Sequence, residues 1–142
     1  MRSKRFKPIV KHADQLQQQA VQIFVAAQQA VVHAQLQYEQ LLTYRAEYNK
    51  NCVSHKLSIM QLKDYQLFLN KLNQSIEHAK AAIQTKKQQC DQLKINWLKT
   101  RSRSKALDAV MLKYQIQEVQ IQERIEQKEQ DEFSCRNAGK KN

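Results

Sequence analysis

The residues of this chain that could bind a metal ion or act as nucleophiles are its histidines and cysteines. They are His12, His33, His55, His78, Cys52, Cys90 and Cys135. The histidines share no spacing typical of metal ligands with one another or with the cysteines, and three distant cysteines predict no disulfide framework. With a single glycine, the sequence also holds no phosphate-binding loop and no common hydrolase motif. We therefore expect no catalytic residue, no metal ion, no cofactor and no enzymatic activity.

The chemistry that the sequence does offer is cationic. Its 24 lysines and arginines against 13 acids give a formal net charge of +11, which calls for an acidic partner or counterions. Residues 1–12 and 86–105 are basic and poor in acids, and Lys87, Lys94 and Arg101 recur every seven residues. These positions predict a binding surface for an acidic partner, with a solvated helix face as the alternative. The residues of this basic surface are Arg2, Lys4, Arg5, Lys7, Lys87, Lys94, Arg101, Arg103 and Lys105.

The elements that must position these residues are helices. The only glycine and the only proline are Gly139 and Pro8, so residues 9–138 contain neither helix breaker. Sandwich, barrel and doubly wound folds use both residue types in their many turns, and they are excluded. The sequence predicts an all-α protein. Three widely separated cysteines and the absence of a long apolar run fit a reducing, cytoplasmic compartment without a membrane-spanning segment.

Apolar residues recur at steps of three and four over most of the chain, which is typical of a coiled coil. In the second half the row starts at Leu62, passes through Leu72 and Trp97, and ends at Ile125. In the first half one row runs from Ile9 to Tyr48. A second row lies one residue further along and contains Val21, Phe24, Val31, Tyr38 and Leu42. The sequence does not decide which of these two rows faces the partner helix.

The pattern lapses between the two halves, which predicts a turn. Asn49 can cap the end of a first helix, and Ser58 with Gln61 forms a capping box that opens a second one. We predict a helix at about 8–49, a turn at about 50–58, a helix at about 59–135 and a frayed tail at 136–142, all in one domain. A short turn makes the helices antiparallel and places Met1 opposite Leu107. The predicted fold is thus a long antiparallel two-helix coiled-coil hairpin whose acidic C-terminal end protrudes.

The same pairing brings large apolar side chains together near the turn. Phe68 falls outside the apolar row of the second helix, and a two-helix hairpin has no third layer to cover it. An uncovered apolar patch marks an interaction site, although aromatic residues at helical spacing can equally belong to a core. The residues of this apolar patch are Gln37, Leu41, Tyr44, Tyr48, Phe68 and Leu72.

Four sequence elements resemble the FliJ family, the small coiled-coil proteins of the bacterial flagellar type III export apparatus. They are L-x-x-Y-R-x-E-Y over residues 41–48, Y-x-x-F-L over residues 65–69, the single Trp97, and D-E-F-x-x-R over residues 131–136. The likeness covers nearly the whole chain. It implies a non-enzymatic, antiparallel two-helix rod similar to the central stalk of rotary ATPases.

The resemblance also implies partners. Such a rod docks into the hexameric ring of the export ATPase FliI, links it to the export gate protein FlhA and escorts export chaperones. It lies in the cytoplasm, at the cytoplasmic face of the inner membrane. The family's gate-binding surface maps onto the apolar patch, and we expect the basic surface to face the ATPase. The alternative is a basic coiled coil that binds nucleic acid or the ribosome, which gives no reason for the apolar patch.

Overall fold

The computed structural model describes residues 1–53 and 56–140, without the side chain of Lys140. These residues form two helices, α1 (Arg2–Val53) and α2 (Ile59–Lys140), and no strand occurs among them. The prediction of an all-α fold is confirmed. Residues 54 and 55 of the predicted turn, and residues 141 and 142 of the predicted tail, lie outside the described part. Residues 136–140 of that tail are helical.

The start of α2 follows the predicted capping box. The Ser58 backbone N–H donates to Gln61 Oε1 at 3.0 Å, and the Gln61 N–H donates to Ser58 Oγ at 3.3 Å. These two bonds satisfy amides that lack a partner within the helix. The first full helical bond follows, from the Leu62 N–H to the Ser58 carbonyl at 2.9 Å.

Helix α1 is longer than predicted at both ends. It begins at Arg2 and runs through Pro8, although a proline inside a helix removes one backbone hydrogen bond. Side-chain contacts of Ser3 and Phe6 with α2 hold this first segment. At the other end Asn49 does not cap the helix, because its backbone does not adopt the left-handed conformation of a C-terminal cap. Its side chain instead accepts a hydrogen bond from the Tyr65 hydroxyl. The helix therefore continues to Val53.

The chain divides into two compact units. Unit 1 combines Met1–Gln18 with Leu98–Asn142, and unit 2 is Gln19–Trp97. Within each unit the segments of α1 and α2 are antiparallel, because contacts pair rising residue numbers on α1 with falling numbers on α2. Whether the whole chain forms one hairpin with a protruding end stays a prediction.

The predicted row of α2 is confirmed as its buried face. All sixteen of its positions from Tyr65 to Glu118 are buried or half-buried. In α1 the buried face takes residues from both rows: Phe24 of the second row is 8% exposed and Ala34 of the first row is 4% exposed, whereas Ile23 of the first row is 55% exposed. Alanines occupy every seventh position of the buried face of α1. They are Ala13, Ala20, Ala27 and Ala34, and both Ala13 and Ala34 are at most 5% exposed.

Candidate interaction surfaces

Four aromatic rings form a cluster in unit 2, two from each helix. Tyr44 and Tyr48 lie one turn apart on α1, and Tyr65 and Phe68 lie near the start of α2. The ring centroids of Tyr48 and Phe68 are 4.5 Å apart, and those of Tyr48 and Tyr65 are 5.3 Å apart. Tyr44 closes the cluster, at 6.1 Å from Phe68 and 6.4 Å from Tyr48. At these separations the rings stabilise one another beyond the apolar area that they bury.

Polar contacts fix this aromatic cluster on the two helices. The Tyr65 hydroxyl donates to Asn49, and Arg45 Nη1 donates to Asn73 Oδ1 at 3.1 Å. Partial burial raises the pKa of Tyr48 above its ordinary value, and the Cys52 thiol raises it further. The Tyr48 phenol therefore stays neutral at physiological pH.

The six residues of the apolar patch differ widely in exposure. Tyr44 is 49% exposed and Gln37 is exposed, whereas Leu41, Tyr48 and Phe68 are half-buried. Leu72 is 7% exposed, so it supports the patch from beneath and offers no surface of its own. The structure thus places the half-buried rings of Tyr48 and Phe68 beside the exposed ring of Tyr44.

Sequence reasoning missed Tyr65 as a member of the aromatic cluster. The sequence pattern assigns Tyr65 to the apolar row of α2, which predicts that its ring is buried against α1 and does not belong to the apolar patch. Near the end of a two-helix unit a large ring can do both, because it reaches past the row. The signal in the sequence was the hydroxyl, which needs a polar partner when it is partly buried, and which finds Asn49.

All nine residues of the basic surface are exposed. Arg2, Lys4, Arg5 and Lys7 belong to unit 1 together with Arg101, Arg103 and Lys105, and Lys87 and Lys94 belong to unit 2. Arg2 also places its guanidinium 6.0 Å from the ring centre of Tyr114, a cation–π contact.

The predicted pairing of the first residues with Leu107 is wrong. The Ser3 N–H donates to Glu118 Oε1 at 3.0 Å, the Ser3 hydroxyl donates to Glu118 Oε2, and the Phe6 and Tyr114 ring centroids are 5.5 Å apart. The N-terminal segment therefore lies opposite residues 114–118, which is 12–13 residues beyond the predicted partners of Phe6 and Ser3 at residues 102 and 105. Electrostatics favours this register, because it sets the basic N-terminus against a carboxylate instead of against the cations of residues 99–105.

An open groove of about 370 Å³ lies beside Glu118 at the N-terminus of α1. Met1, Arg2, Tyr114, Gln117, Glu118 and Ile121 line it. The hydroxyl and then the amide of Ser3 lower the pKa of Glu118, against partial desolvation, and the N-terminal ammonium group adds to the effect. Sequence reasoning missed this site, although a glutamate at a buried-face position was a signal that it has a polar partner.

A family model decides the wider relationship. The model described as "Flagellar FliJ protein" matches residues 2–142. The chain belongs to the FliJ family. Its membership makes the chain a component of flagellar type III protein export, in a family of export components that is not known for catalysis. Among curated proteins and solved structures, none matches this FliJ-family chain significantly.

Two searches of the described residues complete the description of this FliJ-family protein. No helix among them is both long and apolar enough to cross a membrane. No three of their histidine, cysteine, aspartate and glutamate side chains come close enough together to hold a metal ion. The candidate surfaces described so far are the aromatic cluster, the basic surface and the groove at Glu118.

Proposed function

We propose that this FliJ-family protein is a stalk-like link of the flagellar export apparatus. It docks into the hexamer of the export ATPase FliI through the basic surface and binds the export gate protein FlhA through the apolar patch. It also escorts export chaperones. The protein acts at the cytoplasmic face of the inner membrane, which it reaches through its partners, and the acidic end of α2 extends beyond the paired helices.

The observation that carries the gate contact is the half-exposed ring of Tyr44 at the edge of the aromatic cluster. A ring that is 49% exposed and held from below by Tyr48 and Phe68 loses little conformational freedom on binding. Rigid aromatic anchors of this kind dominate the energy of protein interfaces. Leu72 is 7% exposed, so we propose that it supports the apolar patch from within the paired helices.

The gate contact is tested by titrating the purified cytoplasmic domain of FlhA with variants of the full chain in a calorimeter. We expect Tyr44→Ala to weaken binding about 30-fold, the loss typical of an interface anchor. Thr43→Ala is the matched control, because Thr43 is the exposed neighbour and its hydroxyl bonds only to its own helix, at the Glu39 carbonyl. An unchanged dissociation constant for Tyr44→Ala would return the ring to a purely structural role.

Charge supports the ATPase contact. Seven cations of the basic surface belong to unit 1, which also contains the N-terminus and the end of α2. A concentration of one sign of charge steers a protein toward an oppositely charged surface. We propose that acidic residues lining the ATPase ring are that surface.

The ATPase contact is tested by reversing Lys87, Lys94 and Arg101 to glutamate in one triple variant. We expect it to lose stimulation of the ATPase while keeping its helical circular dichroism. A matched control reverses three exposed lysines near the turn, which changes the net charge equally. They are Lys50, Lys56 and Lys63. Full stimulation by the first variant, or equal loss in both, would contradict a specific contact.

A further inference from the structure

A second apolar row lies on α2 in unit 1, on the side away from α1. Leu112 and Val119 are each 57% exposed and Ile116 is 49% exposed, whereas the buried face of the same segment contains Met111, Tyr114 and Glu118. This row keeps the three-and-four spacing of a coiled coil in both directions along the helix. We call it the outer stripe. Its residues are Leu98, Ser102, Lys105, Ala109, Leu112, Ile116, Val119, Glu123, Glu126, Gln130 and Phe133.

The outer stripe is complementary to its own reversed copy. When two copies are set antiparallel around residue 114, Ile116 of each faces Leu112 of the other. The next layer outward pairs Val119 with Ala109. Each residue of the outer stripe from 105 to 123 then faces a residue of the outer stripe in the other copy, as the layers of an antiparallel coiled coil require. Four apolar layers thus meet at the centre of the pair.

Charges on and beside the outer stripe select this arrangement. The layer beyond Ala109 pairs Lys105 with Glu123, and the flanking position pairs Arg101 with Glu129. Each pair occurs twice because of the two-fold symmetry, and one like-charge pair, Lys113 with itself, flanks the centre. A parallel arrangement in register would instead set Lys105 against Lys105 and Glu123 against Glu123, which is unfavourable. Four pairs of opposite charge therefore favour the antiparallel copy.

We propose that a second copy of this chain covers the outer stripe, as a two-fold symmetric antiparallel coiled coil over residues 98–130. At 1.5 Å per residue the paired segment is about 50 Å long. The contact is isologous, since the same surface serves both copies, and it closes at a dimer without forming a filament. The proposal does not need the export function, but it uses Arg101 and Lys105 of the basic surface, so the dimer and the ATPase contact compete for these two residues.

Sedimentation equilibrium of the full chain tests the register of the proposed dimer, when the charges of residues 105 and 123 are exchanged. We expect a dimer whose dissociation constant rises about tenfold in Lys105→Glu and equally in Glu123→Lys, because each reversal acts at two pairs. The double variant has the wild-type net charge and restores both pairs in the antiparallel register, so its dissociation constant returns toward wild type. A double variant as weak as the sum of the two singles would overturn the pairing of residues 105 and 123.

A charged residue at the centre of the outer stripe tests whether the stripe is the dimer interface. We expect Ile116→Lys to weaken the dimer at least about 100-fold, because the substitution places two cations at the apolar centre. Gln15→Lys adds the same charge at an exposed position of α1 and should leave the dimer unchanged. A wild-type chain that stays monomeric at millimolar concentration would overturn the proposal, and so would an Ile116→Lys chain that still dimerises.

Spin labels distinguish the antiparallel dimer from a parallel one. In a chain with its three cysteines replaced by serine, a nitroxide is attached to Gln130→Cys. The antiparallel register separates the two labels by 32 residues along the axis, or about 48 Å. A parallel dimer would bring them to about 10 Å, the spacing of adjacent helices, and would overturn the proposed direction.

Discussion

Truncating Phe24 tests whether Phe24 or its neighbour Ile23 lies on the face of α1 that contacts α2. Phe24 is 8% exposed and its ring stacks on Trp97, with centroids 5.6 Å apart. Removal of a buried aromatic ring costs about 3–5 kcal/mol. For Phe24→Ala we expect the lower value, about 3 kcal/mol, because α1 and α2 form a thin core that can partly close. Ile23 is 55% exposed, and Ile23→Ala should cost less than about 0.5 kcal/mol.

Urea unfolding followed by tryptophan fluorescence measures this difference. Trp97 is the only tryptophan, so its signal reports the neighbourhood of Phe24 in unit 2. With a slope of about 2 kcal/mol per molar urea, Phe24→Ala lowers the midpoint by about 1.5 M and Ile23→Ala by less than about 0.3 M. Circular dichroism in the same titration shows whether the rest of the helix unfolds in the same transition. Equal midpoint shifts, or a larger one for Ile23→Ala, would refute the assignment of the buried face.

Three further predictions concern the capping box, the groove at Glu118 and the apolar patch. Ser58→Ala should lower the free energy of unfolding by about 1 kcal/mol in thermal denaturation, and no loss would mean that Gln61 caps α2 alone. Since Ser3 lowers the pKa of Glu118, its ionised form stabilises the fold above pH 4.5, and this contribution is lost as the pH falls through the lowered pKa. Glu118→Gln should therefore flatten the acid side of the stability profile measured by urea unfolding between pH 3 and 7, and an unchanged profile would contradict the contact. Leu72→Ala should lower the melting temperature but leave the dissociation constant for the FlhA domain unchanged while the variant is folded. A weakened constant under those conditions would place Leu72 in the interface.

Local features of this fold were readable from the sequence because they depend on neighbours a few residues apart. The buried face of α2 follows from spacing alone, and the capping box at Ser58 needs only Gln61. The choice between Ile23 and Phe24 was not readable, because both rows are apolar and only the position of Trp97 separates them. The register was not readable for a related reason. Contacts between distant residues fix it, such as Ser3 with Glu118 and Phe24 with Trp97, and both lie 13 residues from the register that a short turn implies.

The sequence predicted which residues form the apolar patch, but it did not predict how exposed each of them is. Tyr44, Tyr48 and Phe68 were predicted to lie together, and they do. Their spacing could not show that Tyr44 is exposed and Leu72 buried, because exposure depends on how the two helices are rotated. The predicted pairing of Met1 with Leu107 set the cations of residues 1–12 beside those of residues 96–107. The N-terminal segment instead meets Glu118, since a carboxylate offers it a better electrostatic partner than other cations do.

The alanines of the buried face bear on how unit 2 resists force along its helices. Ala27 and Ala34 have short side chains that interlock less deeply with α2 than an aromatic ring does, so we expect that stretch to resist the sliding of one helix along the other less strongly. The stack of Phe24 on Trp97 lies on one side of it and the aromatic cluster on the other. We expect these two groups of rings to act as stops, and a tension applied along the helices to be borne there and not evenly along the chain.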